Sequence, residues 1–384
     1  MSTHATGQSF SLAEYRQGQG WISPLPAALN GTRSLVLAFG SSKFGPDEVA
    51  FADLRRAFPD SVVVGCSTSG QIVGSSLSDH SLAVAAFRFQ RAQVRSAVAP
   101  VRDASDSRRA GAFLAEQLDG PELRAIMVYS DGLHVNGTEL TQGLTSKLRR
   151  EVVVTGGLAG DGMDFKHTWV LHAGHPLEGV VVGVGLYGAS LRIGHGCRGG
   201  WDAFGPERVV TRSRGNVLYE LDGQPALPLY KRYLGELAAG LPSTALLFPL
   251  SIRATRTDSM TLVRSILGVD EAAQSLTFAG DIPQGWVAQL MRANFERVIG
   301  GATHSAQVAT GADPHPCLCV AISCVGRRVV LGERTEEELD AAMSALPPGS
   351  AQVGFYSYGE ISPAGVSSCE LHNQTMTLTT IREE

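Results

Sequence analysis

The sequence predicts an α/β protein of two mixed α/β domains, built on strand–helix–strand units with glycine-rich loops and with a ligand cleft between or beside the domains. Three observations predict this class. Glycine is in excess, with 44 among 384 residues, about 11% against a typical usage of roughly 7%. These glycines fall at the ends of apolar runs, where tight turns need a residue without Cβ. A strand–helix–strand pattern recurs three times, and the length of the chain fits two domains.

The first of these units spans residues 34–72. An apolar run over 35–39 that ends in glycine and serine is typical of a buried strand. A proline and two carboxylates within 46–48 begin a helix, and its apolar side chains recur at i, i+3 and i+7. A second strand over 61–64 leads into a loop of six small residues, 65–70.

The same pattern returns twice. At an offset of 90 residues, a strand over 125–129, a leucine-striped helix and valines at 152–154 precede a second glycine-rich loop, 156–162. At an offset of 289, residues 348–361 match the end of the first unit at six of fourteen positions. The helix before them begins with a capping-box pattern at 335–338. We therefore expect three similar supersecondary units.

The loops that end these units are candidate binding elements. In open α/β sheets such loops lie beyond the carboxyl ends of the strands, where ligands bind. A plain βα turn needs one glycine and a capping residue, whereas the loop 65–70 has six consecutive small residues. We expect a binding role; the alternative is that the loops are only turns.

The segment between the second and third units is rich in β-strand patterns. Residues 168–172 and 180–187 are predicted to form a hairpin joined at 173–176. A helix is expected to begin near residues 226–229, because two prolines restrict the start. We predict an N-terminal extension over 1–29, a first domain over 30–215 and a second over 216–380.

Composition narrows the classes of function. The net charge is −5 and no run of Lys or Arg exceeds two residues, so a nucleic-acid partner is not expected. No apolar stretch of membrane-spanning length occurs, and residues 1–20 lack the apolar core of a secretory signal. The six cysteines are scattered, which is typical of reduced thiols. We expect a cytoplasmic, bacterial-type globular protein.

Several motifs resemble one family. The motif Gly65-Cys66-Ser67-Thr68-Ser69-Gly70-Gln71-Ile72, followed by residues 156–161, resembles the FIST N-terminal domain. The second half resembles the FIST C-terminal domain in five segments, 221–226, 278–283, 323–327, 354–361 and 371–377. One departure is that the family usually has Glu where this sequence has Gln71, which weakens any hypothesis that the first loop holds a ligand ammonium by charge.

The resemblance implies a sensory module of signal transduction that binds a small ligand such as an amino acid. It also implies an alternative, a haem-based nitric oxide sensor that regulates a histidine kinase or a cyclic-di-GMP enzyme. The sequence shows no kinase, cyclase or DNA-binding pattern. We therefore expect the protein to act in trans on a signalling partner.

The candidate ligand-binding residues come from the loops and from two later motifs. Hydroxyls and free N–H groups of the first loop can donate to a carboxylate, and tyrosines beside a carboxylate can hold an ammonium or a planar ligand. An arginine after a strand can pair with a carboxylate in bidentate fashion, or form a structural ion pair. The candidates are Ser67, Thr68, Ser69, Gly70, Asp161, Arg327, Tyr356, Tyr358, Glu360, Asn373 and Thr375.

The histidines carry the haem alternative. Haem needs one imidazole at the end of an apolar pocket, and His172, His175 and His195 lie on or near apolar strands. Surface or core packing explains each of them as well.

An enzyme is the third hypothesis. The loop 65–70 has one residue too many for a nucleophile elbow, and no phosphate-binding glycine motif is found. A thiol nucleophile at Cys66 or Cys324 would need a nearby histidine. We expect no catalytic machinery.

Overall fold

The computed structural model describes residues 9–364 and 368–384. Its strands and helices confirm the predicted mixed α/β class. Three units of the same construction follow one another along the chain, and a β-rich insert, residues 201–293, interrupts the third. Short 3₁₀ turns occur at Ala27–Leu29, Ala104–Asp106, Gly235–Gly240, Ser243–Leu247 and Gly332–Arg334.

The first unit has a central pair of parallel strands joined by a helix. The central strand is buried along its whole length, as expected for an apolar strand covered on both faces. The elements are β1 (Phe10–Arg16), β2 (Gly20–Trp21), β3 (Ser34–Ser41), α1 (Val49–Ala57), β4 (Val62–Thr68), β5 (Gln71–Val73), β6 (Ser76–Ser78) and β7 (Ser81–Arg88).

The second unit repeats this order with one additional helix. Its helix α3 begins where the Asn136 side chain accepts a hydrogen bond from the Glu139 N–H at 3.1 Å, a standard N-cap. The elements are β8 (Gln93–Pro100), α2 (Ser107–Leu118), β9 (Leu123–Ser130), α3 (Gly137–Thr145), β10 (Val153–Leu158), β11 (Val170–His172), β12 (His175–Leu177) and β13 (Val180–Tyr187).

The third unit begins with β14 (Leu191–Arg198), and the insert follows directly. The insert has its own core, in which the helix α4 packs on its strands. Its elements are β15 (Trp201–Arg214), β16 (Val217–Leu221), β17 (Gln224–Pro225), α4 (Ala226–Leu234), β18 (Leu250–Arg253), β19 (Leu262–Arg264), β20 (Ile266–Asp270), β21 (Ser275–Phe278) and β22 (Val287–Ala293).

The chain then returns to complete the third unit. Its two parallel strands pair over seven residues, as in the first unit. The elements are α5 (Phe295–Thr310), β23 (Leu318–Cys324), α6 (Val325–Leu331), α7 (Thr335–Ser344), β24 (Ala351–Ser357), β25 (Gly359–Ala364), β26 (Ser368–His372) and β27 (Met376–Glu383).

The three units exchange hairpins in a cycle. The hairpin β5–β6 of the first unit pairs with β24 of the third, β11–β12 of the second pairs with β4 of the first, and β25–β26 of the third pairs with β10 of the second. Each of these three sheets therefore contains strands from two units. A core of apolar side chains from all three units lies between the sheets. At its centre the ring of Phe39 lies 4.7 Å from that of Phe355 and 5.5 Å from that of Tyr129.

One glycine recurs at the same place in each unit. Gly65, Gly156 and Gly354 lie on the second parallel strand, opposite Ala38, Val128 and Ala321 respectively. A Cβ on these glycines would lie 1.7, 1.9 and 1.7 Å from the opposing carbonyl oxygen. Only glycine fits such a close approach of two backbones.

These ladders refine the predicted repeat. The offset of 289 is confirmed between Gly65 and Gly354. Between the first and second units, the equivalent glycines Gly65 and Gly156 are 91 residues apart rather than 90. The predicted hairpin is wrong in its pairing. Residues 170–172 turn back on 175–177, while β13 pairs with β8 and β9 in a different sheet.

Candidate functional site

The glycine-rich loops of the three units meet where the parallel strands end. Three of the backbone hydrogen bonds between the loops form a closed cycle, in which the first unit donates to the third, the third to the second and the second to the first. The hydrogen bonds are Ser69 N to Tyr356 O (2.8 Å), Gly160 N to Ser67 O (3.0 Å) and Tyr358 N to Leu158 O (3.2 Å). The loops therefore converge, as expected for carboxyl ends of strands, but here their backbones bind one another.

The hydroxyls of the first loop are engaged within the protein. Ser67 Oγ accepts from Trp169 N at 3.1 Å, and Thr68 Oγ1 accepts from Gly70 N at the same distance. Ser69 Oγ accepts from Gly162 N at 3.1 Å. All three serine and threonine residues are buried. These contacts are those expected if the loop is only a turn. The three hydroxyls bind other parts of the protein and do not face a cleft.

Arg327 and Tyr356 also lie in a buried network. Arg327 Nη2 is 2.6 Å from Glu338 Oε2, and both side chains are fully buried. The Tyr356 hydroxyl donates to the same carboxylate at 2.6 Å, and Ser323 adds a third donor at 3.0 Å. Glu338 therefore binds Arg327 rather than completing the predicted capping box. Of the two roles expected for Arg327, the structure shows the structural ion pair.

Glu360 and Thr375 form a second buried group. Glu360 accepts from Ser357 Oγ at 2.6 Å, and from Thr375 Oγ1 and N at 2.9 and 3.2 Å. Burial raises the pKa of Glu360 to about 8 in spite of these donors. Asn373 is fully buried nearby, and neither atom of its amide has a partner within the described part of the chain.

Of the predicted ligand-binding residues, Tyr358 lines an open cavity, and Asp161 binds its hydroxyl. The Tyr358 hydroxyl donates to Asp161, whose carboxylate also accepts from Phe165 N, Lys166 N and His167 N at 2.7–2.9 Å. Burial acts to raise the pKa of Asp161, but the hydrogen bonds outweigh it and the pKa is lowered. The ring of Phe165 stacks on Tyr358 at 4.6 Å. The loop thus holds an aromatic pair in place.

This aromatic pair forms one wall of a cavity of about 310 Å³. The second unit contributes the loop 132–136 after β9, the third unit contributes the start of α6, and the insert forms the opposite wall. A volume near 300 Å³ is at the lower end for small-molecule sites. Members of the three walls include Asn136, Phe165, Tyr358, Cys324, Asn216 and Phe278.

The cavity is mainly apolar, with a few polar groups. Asn136 Nδ2 donates to Asp281 at 2.9 Å and Asn216 Nδ2 donates to the Phe278 carbonyl at 2.8 Å, so both amides are held in place. Ser265 lies in the wall at 3% exposure, and its hydroxyl has no partner among the described residues. None of the residues described as lining the cavity is charged. Such a site suits a small ligand with an apolar body and a polar end.

The position of the cavity differs from the sequence expectation. A cleft between or beside the two domains is expected, with most candidate residues in the first and third units, whereas the second unit, the third unit and the insert form the cavity. Reasoning from sequence missed Asn136, Asn216, Ser265 and Phe165. The motif 278–283 was a signal for the insert wall, because its apolar and small residues follow a strand directly.

The three histidines, one of which is predicted to ligate haem, lie away from this cavity. His172 and His175 face each other across the hairpin β11–β12, while His195 lies on β14 in a different sheet. None of them is among the residues that line the cavity. Cys324 does line it, but burial raises the pKa of this thiol, so a thiolate ligand is disfavoured. Within residues 9–364 and 368–384, no three His, Cys, Asp or Glu side chains are grouped to hold a metal ion.

The thiols show no sign of activation. Cys66 and Cys324 are buried, and burial raises the pKa of each. In the described residues neither sulfur is hydrogen-bonded to a histidine, and Cys66 packs in the apolar core. Buried thiols of this kind are poor nucleophiles.

Comparison with known families identifies the class. The protein has an α/β fold whose strand-end loops and insert enclose a small, mainly apolar cavity. The FIST N domain matches residues 34–224 and the FIST C domain matches residues 226–363. The chain therefore belongs to the FIST family, whose domains are sensory rather than catalytic and serve small-ligand sensing in signalling. No match is found among curated proteins.

In the ranges 9–364 and 368–384, no helix combines the length and the apolar character needed to cross a bilayer.

Proposed function

We propose that this protein is a cytoplasmic sensor that binds a small, amino-acid-like ligand in the cavity of about 310 Å³ and acts in trans on a signalling partner. The observation that carries the proposal is the composition of the cavity wall. Residues of the FIST N match, such as Asn136 and Phe165, face residues of the FIST C match, such as Ser265 and Phe278. A ligand there would contact both family domains at once.

The chemistry of the walls supports an amino-acid-like ligand with an apolar side chain. The stacked pair Phe165 and Tyr358 offers an aromatic surface for an apolar body. The hydroxyl of Ser265 and the fixed amide of Asn216 offer hydrogen bonds to a polar end. No histidine is among the lining residues, so the cavity does not support a haem-based function.

Ligand binding would act on an existing contact between the insert and the second unit. Asn136 and Thr138, at the start of α3, bond Asp281 of the insert through its carboxylate (2.9 Å) and its N–H (3.3 Å). A ligand that fills the adjacent cavity would stabilise this closed arrangement by binding it preferentially. The partner implied by the family resemblance is a histidine kinase or a cyclic-di-GMP enzyme.

A calorimetric titration tests the proposal. The full-length protein is titrated with L-leucine, L-phenylalanine, L-methionine, L-glutamate and L-lysine, and we expect saturable binding for one or more of the apolar amino acids. In Ala279→Leu, a larger side chain enters the cavity wall, and affinity should fall at least about tenfold. The matched control is Ala273→Leu, in an exposed turn of the insert, and it should bind as the wild type does.

Two outcomes would contradict the proposal. One is the absence of binding by every amino acid in the set. The other is binding that Ala279→Leu leaves unchanged, because the ligand would then lie elsewhere. Haemin is titrated in parallel, and a saturable change in its absorption spectrum would restore the haem alternative.

A further inference from the structure

Arg264 is a buried cation that has no carboxylate partner among the described residues. It is 2% exposed and lies at the end of β19. Its Nη1 donates to the Leu371 carbonyl at 2.8 Å and to the Val263 carbonyl at 3.4 Å, and its Nε donates to the Asp281 carbonyl at 3.2 Å. Within the residues that the structure describes, it forms no ion pair and its Nη2 makes no hydrogen bond. Arg327, the other large buried arginine, is by contrast paired with Glu338 at 2.6 Å.

A buried charge of this kind calls for an explanation. Removing a guanidinium from water is costly, and buried arginines are normally paired with an acid. Burial lowers the pKa of Arg264 to about 10, so the side chain stays charged at neutral pH. The acids that act on it from a distance are Glu370, on β26, and Asp281, whose carboxylate is bonded to Asn136. Neither lies within ion-pair distance of Arg264.

The guanidinium lies directly behind the cavity wall. Ser265, the next residue, lines the cavity, and its buried hydroxyl has no partner among the described residues. Gly280 also lines the cavity, and a Cβ on it would lie 2.9 Å from Arg264 Nε and 3.2 Å from Cζ. Because residue 280 is glycine, the guanidinium packs directly against the backbone of this wall residue, beside the side chain of Leu371. One corner of an otherwise uncharged cavity therefore has a positive potential and a free hydroxyl.

We propose that Arg264 and Ser265 form the anion-recognition corner of the cavity and select a ligand that carries one carboxylate. This inference rests on the proposed ligand site and deepens it by naming the chemical group that is recognised. A single buried cation is neutralised by a single negative charge: Ser265 Oγ–H donates to the carboxylate, and Arg264 attracts it by charge from behind the wall. Charge at this corner excludes neutral analogues, because the guanidinium would then remain unpaired.

The test compares an acid with its neutral isostere, using full-length protein and calorimetry. The probes are phenylacetate and phenylacetamide, which share the apolar body and differ in charge. In the wild type we expect phenylacetate to bind at least about tenfold more tightly. Arg264→Met should bring the ratio close to one, and Ser265→Ala should weaken phenylacetate about three- to tenfold with little effect on the amide. The control Arg214→Met removes an exposed arginine and should keep the wild-type ratio.

Three results would contradict carboxylate recognition by Arg264 and Ser265. Equal affinity for the two probes in the wild type, no binding of either probe, or an acid preference that both Arg264→Met and Ser265→Ala retain would overturn it. Ser265→Ala keeps the test valid if Arg264→Met does not fold, since the Ser265 hydroxyl has no hydrogen-bond partner among the described residues. If the amino-acid titration shows binding that Ala279→Leu abolishes but the probe ratio is one, the ligand site stands and only the carboxylate assignment fails.

Discussion

Gln71 and Glu360 occupy equivalent positions in the first and third units, six residues after the glycines Gly65 and Gly354 that pack against the neighbouring strand. Each side chain accepts hydrogen bonds from the hydroxyl and the N–H of a residue where the next long strand begins: Ser81, the first residue of β7, for Gln71, and Thr375, just before β27, for Glu360. Each also bonds a hydroxyl three residues earlier, at 2.6 Å in both cases. The replacement of the usual family Glu by Gln71 thus preserves this buried motif without a charge.

This equivalence predicts that Glu360→Gln makes stability less dependent on pH. The pKa of Glu360 is raised from 4.5 to about 8 by burial, so between these values the folded state holds a proton that the unfolded state has lost. Stability from this group is therefore greatest at low pH and falls as pH rises through the window, by up to about 1.4 kcal/mol per pH unit. The free energy of unfolding is measured with urea at pH 5, 6.5 and 8. Between pH 5 and pH 8, that of Glu360→Gln should rise by about 1–3 kcal/mol relative to that of the wild type.

The comparison between variant and wild type is needed because other groups titrate in the same range. His372 is buried and its pKa is lowered to about 4, so its contribution to stability is lost as pH falls below 6.5. Cys197, Cys324 and Arg327 are the other titratable groups that act on Glu360 or on which it acts. The control Glu236→Gln changes an exposed carboxylate; a similar pH response in both variants would contradict the assignment.

The two buried arginines should differ in how much stability is lost when each is replaced by methionine. Arg327→Met leaves Glu338 buried without its cation and should cost about 3–5 kcal/mol in unfolding free energy. Arg264→Met removes a cation that has no acid partner among the described residues but also its hydrogen bonds to the Leu371 and Asp281 carbonyls, so we expect a smaller loss, of about 1–2 kcal/mol. Chemical unfolding measures both, and Arg327→Met combined with Glu338→Leu should recover part of the loss. Equal losses in the two single variants would show that Arg264 is a structural residue instead.

The recurring glycine predicts a severe backbone clash. In Gly354→Ala the new Cβ would lie 1.7 Å from the Ala321 carbonyl oxygen, so two parallel strands would have to separate. We expect a loss of at least about 3 kcal/mol or failure to fold. Gly300→Ala is the control, because that glycine is exposed in α5 with open space around its Cβ position, and the variant should gain up to about 1 kcal/mol. Thermal melts suffice, and a tolerated Gly354→Ala would refute the close approach.

The Tyr358 hydroxyl should stabilise the loop that carries Phe165. Tyr358→Phe removes the hydrogen bond to Asp161 but keeps the stacked ring, and we expect a loss of about 1–2 kcal/mol. Amide hydrogen exchange should become faster at residues 165–167, whose N–H groups bind Asp161. Tyr219→Phe, at a tyrosine whose hydroxyl makes no hydrogen bond within the described chain, should change neither measurement. Unchanged hydrogen exchange in Tyr358→Phe would show that the hydroxyl does not stabilise this loop.

The repeated units of the fold could be predicted because their signals are local. Apolar runs, helix starts and the glycines Gly65 and Gly354 all lie within short segments of sequence. The exchange of hairpins could not be predicted, since β25 meets β10 about 200 residues away in the chain and pairing over such distances has no local pattern. For the same reason the hairpin predicted over 168–187 is wrong, since its two strands lie in different sheets.

The candidate site was predictable only in part. Tyr358 and Asp161 follow from the loops at the ends of parallel strands, where the cavity lies. The position of Arg327 after a strand predicts a ligand residue. The sequence does not reveal that Glu338, on the following helix α7, forms an ion pair with it. Ser265 and Asn216 carry no motif of their own. They become cavity residues only because the insert folds back onto the second unit.

A crystal structure of the full-length protein with the tightest-binding apolar amino acid from the titration tests the central claim most directly. We expect electron density for the ligand in the cavity. The ligand's side chain should lie against Phe165 and Tyr358, and its carboxylate should point toward Ser265 and Arg264. Density for the ligand at any other place, with this cavity left without it, would contradict the account.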